Sequence, residues 1–273
     1  MRINPIEFDY DEIFNNCTNS IDNKKKRKSR ILGYKNIIDS NNESYSVCSS
    51  KNVEFKSDYS PFNFEKLSAD MIWLYDNKFS KKESPGRKYY NDIKLSTPNE
   101  RCPYCLWHTV KEVDHYLPKS VVPVLSITPQ NLVPVCKDCN FQKGHSEELI
   151  PNPYFDNLDS ETYLTCSIRI VEDVLVFNYG IIKPINMDSS IFKKLENLFN
   201  QINIFHDYSN LAQDKFNDDI VLIKDYINSK TLFFRSLNAL IKGRKNGFKK
   251  NTWEYAYYNA LKENYDLIVD YLN

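Results

Sequence analysis

Cys102-Pro-Tyr-Cys105 and Cys136-Lys-Asp-Cys139 place four thiols in two C-x-x-C pairs. Zinc takes four soft or borderline ligands in a tetrahedron, and each C-x-x-C turn delivers two thiolates from one tight knuckle, so two knuckles close a four-thiolate site. Asp114-His115 lies between the pairs, and Asn140 follows the second pair at once. Those residue types suit the hydrolysis of a phosphodiester. That reaction needs a base to activate water and a divalent cation to stabilise the departing oxyanion. His115 can be the base, since imidazole titrates at about 6.5. Asp114 offers a hard oxygen to magnesium or a similar ion, and the Asn140 amide carbonyl offers another. Lys143, one turn further on, could meet a phosphate. Neighbours on a strand point to opposite faces, so Asp114 and His115 need a local bend or the strand's end to converge. The Leu117-Pro118 just beyond fits a strand ending there.

Three segments position these residues. Residues 1–95 read as helical, with loose helical spacing over Tyr10–Ile21 and Arg30–Ile38 and an apolar stripe of Phe64, Leu67, Met71, Leu74 and Tyr75 on a helix over Phe64–Phe79. Ser84-Pro85-Gly86-Arg87 breaks that helix. Residues 96–150 hold the paired cysteines and short strand-like pieces over Val110–Tyr116 and Leu132–Val135, followed by a short helix over Asp138–Ser146. The order is β-loop-β-α. Residues 151–273 begin with a hairpin, Tyr163–Val171 against Val174–Tyr179, turning at Glu172-Asp173. Beyond Asp188 the pattern is helical: Ser189 or Ser190 caps one helix, and Ser209–Ile227, Ser229–Ile241 and Thr252–Leu272 supply three more. The expected class is α+β and mostly helical, with a zinc-stapled ββα module between helical flanks.

The chain has 273 residues, 41% hydrophobic and 26% charged, which fits a soluble globular protein. Thirty-six basic residues balance thirty-six acidic ones, so overall charge does not announce a nucleic-acid partner. No run approaches the roughly 18 apolar residues of a membrane helix, and the first residues lack an apolar signal-peptide core. A cytoplasmic protein with no membrane partner is expected. Seven cysteines, four of them paired, point to metal ligation in a reducing compartment rather than to disulfides. Cys17, Cys48 and Cys166 read as small buried hydrophobes.

Cys-Pro-Tyr-Cys, then Asp-His-Tyr-Leu-Pro-Lys-Ser, then Asn-Leu-Val-Pro-Val-Cys-Lys-Asp-Cys-Asn-Phe-Gln-Lys-Gly resembles the HNH endonuclease family over roughly residues 100–145. The resemblance implies a ββα-metal finger. It implies His115 as the general base, Asp114 and Asn140 as ligands of a catalytic Mg2+ or Mn2+, and Asn131 as the middle Asn that braces the loop and orients the base. It assigns Cys102, Cys105, Cys136 and Cys139 to a structural Zn2+. Many members carry a final His where this chain has Asn140; an amide oxygen is a fair magnesium ligand, and the change argues against a transition metal there. Gly86-Arg87-Lys88-Tyr89-Tyr90 is similar to a lead-in of HNH proteins from bacterial defence loci, which makes Arg87 a candidate DNA contact beside Lys119 and Lys143.

The resemblance implies an endonuclease acting on DNA, most plausibly double-stranded. By analogy it is the effector of a Septu-like or retron-associated anti-phage system in which an HNH protein pairs with an ATPase. The alternatives are a non-catalytic zinc finger that binds nucleic acid or a partner, and a restriction or mobile-element nuclease. The basic run Lys24–Arg30 reads equally as a phosphate-binding stripe or a solvated helix face; Lys242–Lys250 reads as a basic loop that could contact DNA. His108 and His145 lie near the module as surface groups, phosphate contacts or substitute metal ligands, and His206 has no site around it.

Overall fold

The computed structural model describes residues 2–51, 55–58, 63–144, 148–243 and 250–273. Among the described residues are eleven α-helices and two antiparallel two-stranded sheets, the mostly helical α+β class that the sequence predicts. The chain divides into two compact units, Met1–Asn157 and Leu158–Asn273.

In the first unit, α1 (Tyr10–Asn19), α2 (Lys26–Gly33), α3 (Lys35–Ser50), α4 (Phe64–Leu74) and α5 (Arg87–Lys94) precede β1 (Glu112–His115), β2 (Leu132–Val135) and α6 (Lys137–Lys143). Side-chain caps start α1 and α4, as Asp9 accepts from the amides of Asp11 and Glu12 and Asn63 accepts from the Lys66 amide. The single helix expected over Phe64–Phe79 is instead α4 followed by a π-helical turn, Tyr75–Phe79, whose two aromatic ends stack at 5.6 Å. A π-turn carries an extra residue per turn, which a search for a 3.6-residue period does not register. Ile13, Phe14, Ile31, Ile38, Leu67, Met71, Leu74 and Phe79 form one core with Val113, Val124, Leu125, Ile127 and Leu132. The helices and the cysteine-bearing segment therefore share apolar burial, and the segment does not depend on a metal alone for its packing.

A buried carboxylate fixes α2 to α4. Asp70, 1% exposed, accepts from Arg27 Nε at 2.9 Å and from Arg30 Nε at 2.7 Å and Nη2 at 2.8 Å, with the Tyr34 hydroxyl at 3.4 Å. Burial pushes the Asp70 pKa up, but the two guanidinium groups outweigh it and hold the carboxyl below its ordinary range. The Arg27 guanidinium also lies 4.6 Å over the Trp73 ring. Two cations of the Lys24–Arg30 run thus serve the fold, while Lys24, Lys25 and Lys26 remain exposed.

In the second unit, β3 (Leu164–Val171) pairs with β4 (Val174–Ile181) in continuous register. The expected turn residues Glu172 (φ 50°) and Asp173 (φ 60°) both lie in the left-handed region, as a two-residue hairpin turn of the primed type requires. Leu164, Cys166 and Ile168 of β3 and Leu175, Phe177 and Tyr179 of β4 point inward. They meet α8 (Phe205–Tyr226) and α10 (Trp253–Glu263), accompanied by α7 (Ser189–Ile202), α9 (Lys230–Gly243) and α11 (Tyr265–Leu272). Asp188, rather than a serine, caps α7 by accepting from the Ser190 amide. The helix expected over Thr252–Leu272 breaks at Asn264 into α10 and α11. Among the described residues, no helix is long and apolar enough to cross a membrane.

Gly86 lies between the π-turn and α5, immediately before Arg87. A Cβ there would stand 2.6 Å from the Lys78 carbonyl oxygen and 2.6 Å from Phe79 Cα, both backbone atoms, and 2.9 Å from Cys17 Sγ. Gly86→Ala is expected to destabilise the fold by about 1–3 kcal/mol through this overpacking. Thermal unfolding by circular dichroism measures the effect, and a wild-type Tm would mean that the approach is looser than described.

Candidate active site and metal centre

The four cysteines come together. Their Sγ atoms lie within 4.8 Å of one another, all buried, and Cys105 Sγ is 3.9 Å from Cys136 Sγ. A tetrahedron with zinc–sulfur bonds of about 2.3 Å has edges of about 3.8 Å. All four are free thiols. The backbone makes the two knuckles: the Leu106 amide bonds the Cys102 carbonyl at 2.8 Å, with Leu106 at φ 54°, and Cys136 caps α6 through the Cys139 amide. Burial pushes the Cys102 thiol up, yet hydrogen bonds from Cys105, Cys136 and Cys139 hold it well below its ordinary value. Cys139 is driven far up by bonds to Cys102, Cys105 and Cys136. Four thiols so crowded cannot all ionise unless a cation lies among them, and these residues could hold zinc. His108 is beside them, with Nδ1 4.0 Å from Cys136 Sγ and 3.3 Å from Asp138 Oδ2.

β1 and β2 pair antiparallel, with Asp114 opposite Val133 and His115 opposite Leu132. Strand alternation divides β1 into two faces. Val113 and His115 point into the core, at 6% and 5% exposure, whereas Glu112 and Asp114 are half-buried on the other face, where α6 lies. Lys143 Nζ donates to Asp114 Oδ2 at 2.7 Å and to the His115 carbonyl at 2.9 Å. Asn140 Nδ2 donates to Glu112 Oε2 at 2.6 Å. Asp114 and Asn140 thus belong to one patch beneath α6, with Glu112 and Lys143 between strand and helix. The His115 ring stands on the opposite face of the same strand.

His115 is held from two sides. Its Nε2 is 2.9 Å from the Ser126 carbonyl oxygen. A carbonyl only accepts, so Nε2 carries the proton and Nδ1 keeps the lone pair. The Tyr75 ring, from the π-turn, meets the imidazole edge-on at 4.4 Å, and the Tyr75 hydroxyl donates to the Val113 carbonyl at 3.3 Å. Burial lowers the His115 pKa to about 4, against the raising influence of the Ser126 carbonyl and Asp114. The imidazole is therefore neutral at physiological pH, with Nδ1 unprotonated. Asn131, fully buried, accepts from the Leu117 amide at 2.8 Å through Oδ1 and donates to the Leu117 and Leu125 carbonyls at 3.1 and 3.4 Å. It braces the loop that carries Ser126.

The other expected contacts are engaged within the protein. Lys119 pairs with Asp76 at 2.6 Å and lies 4.8 Å over the Tyr75 ring. Arg87 bonds Asn91 and the Ser80 carbonyl and lies 4.3 Å over the Tyr90 ring. Lys143 is buried against Asp114. His145 and residues 244–249 of the second basic cluster lie outside the described residues. Glu112, Tyr75 and Ser126 are functional neighbours that sequence reasoning misses. Only Glu112 leaves a signal there, since it stands two residues before Asp114 and so shares its face of the strand.

Residues 102–146 match the family described as HNH endonuclease. The chain is 32% identical over 147 residues to Protein ea31 of Escherichia phage lambda, a match covering 50% of this chain and 48% of that protein. It is 37% identical over 79 residues to Septu protein PtuB of Bacillus thuringiensis, covering 26% of this chain and 31% of that protein. The chain thus spans less than half the length of either relative. No solved structure matches it. Residues 102–146 are an HNH endonuclease domain.

Purified protein is expected to carry about one zinc per chain. Cys105→Ser should lose it and unfold far more readily than wild type, because the ligand set both seats α6 and closes the first knuckle. Elemental analysis together with thermal unfolding reads both effects; a zinc-free wild type with an intact fold would remove the metal from the account.

Proposed function

We propose that this chain is a metal-dependent endonuclease that hydrolyses phosphodiester bonds in double-stranded DNA, and that it serves as the nuclease effector of a bacterial anti-phage defence system. The observation that carries the chemistry is the His115 contact with Ser126, because it leaves Nδ1 unprotonated at the C-terminal end of β1. His115 takes the proton of the attacking water. Asp114 and the Asn140 amide oxygen would hold a divalent cation, Mg2+ or Mn2+, which when bound stabilises the negative charge on the departing oxygen. Both are hard oxygen donors, as such an ion prefers. Asn131 keeps the Ser126 loop in place and so sets the orientation of the base. The scissile phosphate would lie at the C-terminal end of β1, where His115 ends the strand next to Asp114.

Cys102, Cys105, Cys136 and Cys139 would hold a structural zinc apart from the reaction, fixing the start of α6 and with it Asn140. Similarity to Septu protein PtuB supports the defence reading. By analogy with Septu-like systems, the protein would be regulated and would work in the cytoplasm with an ATPase or a comparable partner.

His115→Ala is expected to lower the rate of plasmid nicking in Mg2+ by about 100-fold or more, the usual contribution of a general base. Zinc content and Tm should stay at wild-type values. Supercoiled-plasmid cleavage read on gels tests this, with the partner supplied where the chain alone is inactive; wild-type cutting by the variant would move the base elsewhere.

A further inference from the structure

An asparagine can ligate a hard cation through only one of its two amide ends. Oδ1 has the lone pairs, Nδ2 has only hydrogens to offer, and the ends are nearly equal in size. Nothing intrinsic to the side chain favours the productive flip. A histidine at this position would present a ring nitrogen, and an aspartate two equivalent oxygens.

Here the choice is made by Glu112. It lies on the Asp114 face of β1, two residues away, and Asn140 approaches it from the first turns of α6. The contact is 2.6 Å from Asn140 Nδ2 to Glu112 Oε2. A carboxylate oxygen at neutral pH can only accept, so it holds the NH2 end and turns Oδ1 away. The hydrogen bond is charge-assisted, of the stronger kind. Asp114 is occupied differently, by the ammonium of Lys143 at 2.7 Å. The two carboxylates of one strand face thus have separate partners on α6, an amide for Glu112 and a cation for Asp114.

We propose that Glu112 is a positioning residue that locks the Asn140 amide with Oδ1 presented to the cation site shared with Asp114. The proposal rests on the nuclease reading above. It assigns Glu112 an action through Asn140, not a place among the ligands. Partners that orient a metal ligand contribute about 10- to 100-fold to affinity.

The test is a Mn2+ titration of the zinc-loaded full chain, with free Mn2+ read by electron paramagnetic resonance and plasmid nicking measured alongside. Glu112→Ala should weaken Mn2+ binding about tenfold, with zinc content unchanged. The same change in an Asn140→Asp background should weaken it not at all, because a carboxylate needs no flip to be chosen. Equal weakening in both backgrounds would make Glu112 a ligand or a plain negative charge and overturn the lock. No weakening in either would make it a bystander. Should Glu112→Ala lose its zinc, Glu112→Met, of similar volume and without an acceptor, takes its place. Wild type that neither binds Mn2+ nor cuts overturns the nuclease reading and the lock together; wild type that does both while indifferent to Glu112 overturns the lock alone.

Discussion

Four residues of strand, Glu112 to His115, belong to two environments at once, and the site depends on that alternation. One face is sealed into the helical core, where Val113 and His115 are buried; the other meets α6 with two carboxylates. A one-residue slip in register would exchange the two sets, burying the carboxylates and exposing the imidazole. Pairing with β2 sets the register from one side, through Asp114 against Val133 and His115 against Leu132. The thiol cluster sets it from the other, because Cys136 and Cys139 fix where α6 begins. The contact of Lys143 Nζ with both Asp114 and the His115 carbonyl spans that junction.

Burying the imidazole has a cost and a use. The cost is desolvation, which takes the pKa down to about 4. The use is that the ring stays neutral and keeps one tautomer, because the Ser126 carbonyl against Nε2 must accept. The wall that achieves this is partly outside the finger. Tyr75 reaches His115 from the π-turn beyond α4, and Lys119 and Asp76 close over the same tyrosine. The helical segment before the finger therefore acts as part of the environment of the proposed base.

Much of this is legible in the sequence because it rests on local rules. Two C-x-x-C pairs foretell the clustered thiols, and Glu172-Asp173 between alternating runs foretells the hairpin. Apolar spacing finds most helices. The orientation of side chains across elements is not legible. Lys143 looks available to a phosphate, but it sits one turn beyond Asn140 on the helix face that meets Asp114. Arg87 looks like a DNA contact, yet an aromatic ring and a carbonyl take up its guanidinium. Arg27 and Arg30 belong to a run that reads equally as a phosphate-binding stripe or a solvated face, until Asp70, 43 and 40 residues further along the chain, gathers them. Each of these depends on a contact between distant segments, which no periodicity encodes.

Charge balance links the patch beneath α6 to its proposed substrate. Glu112 and Asp114 face a single ammonium, that of Lys143, which is 5% exposed and cannot leave its counterion without penalty. The set as it stands carries one excess negative charge. A divalent cation held by Asp114 and Asn140, as proposed, would turn that into one excess positive charge beside the Lys143 ammonium. A bound phosphodiester, with one negative charge, restores neutrality. Metal held there without substrate would therefore leave the patch with unbalanced charge, whereas an ion among the thiols would be stabilised whether or not nucleic acid is present. The two proposed metal sites differ in chemistry for this reason: four thiolates would more than offset the charge of a zinc ion by themselves, and the oxygen site would be completed only by the molecule it is proposed to cut.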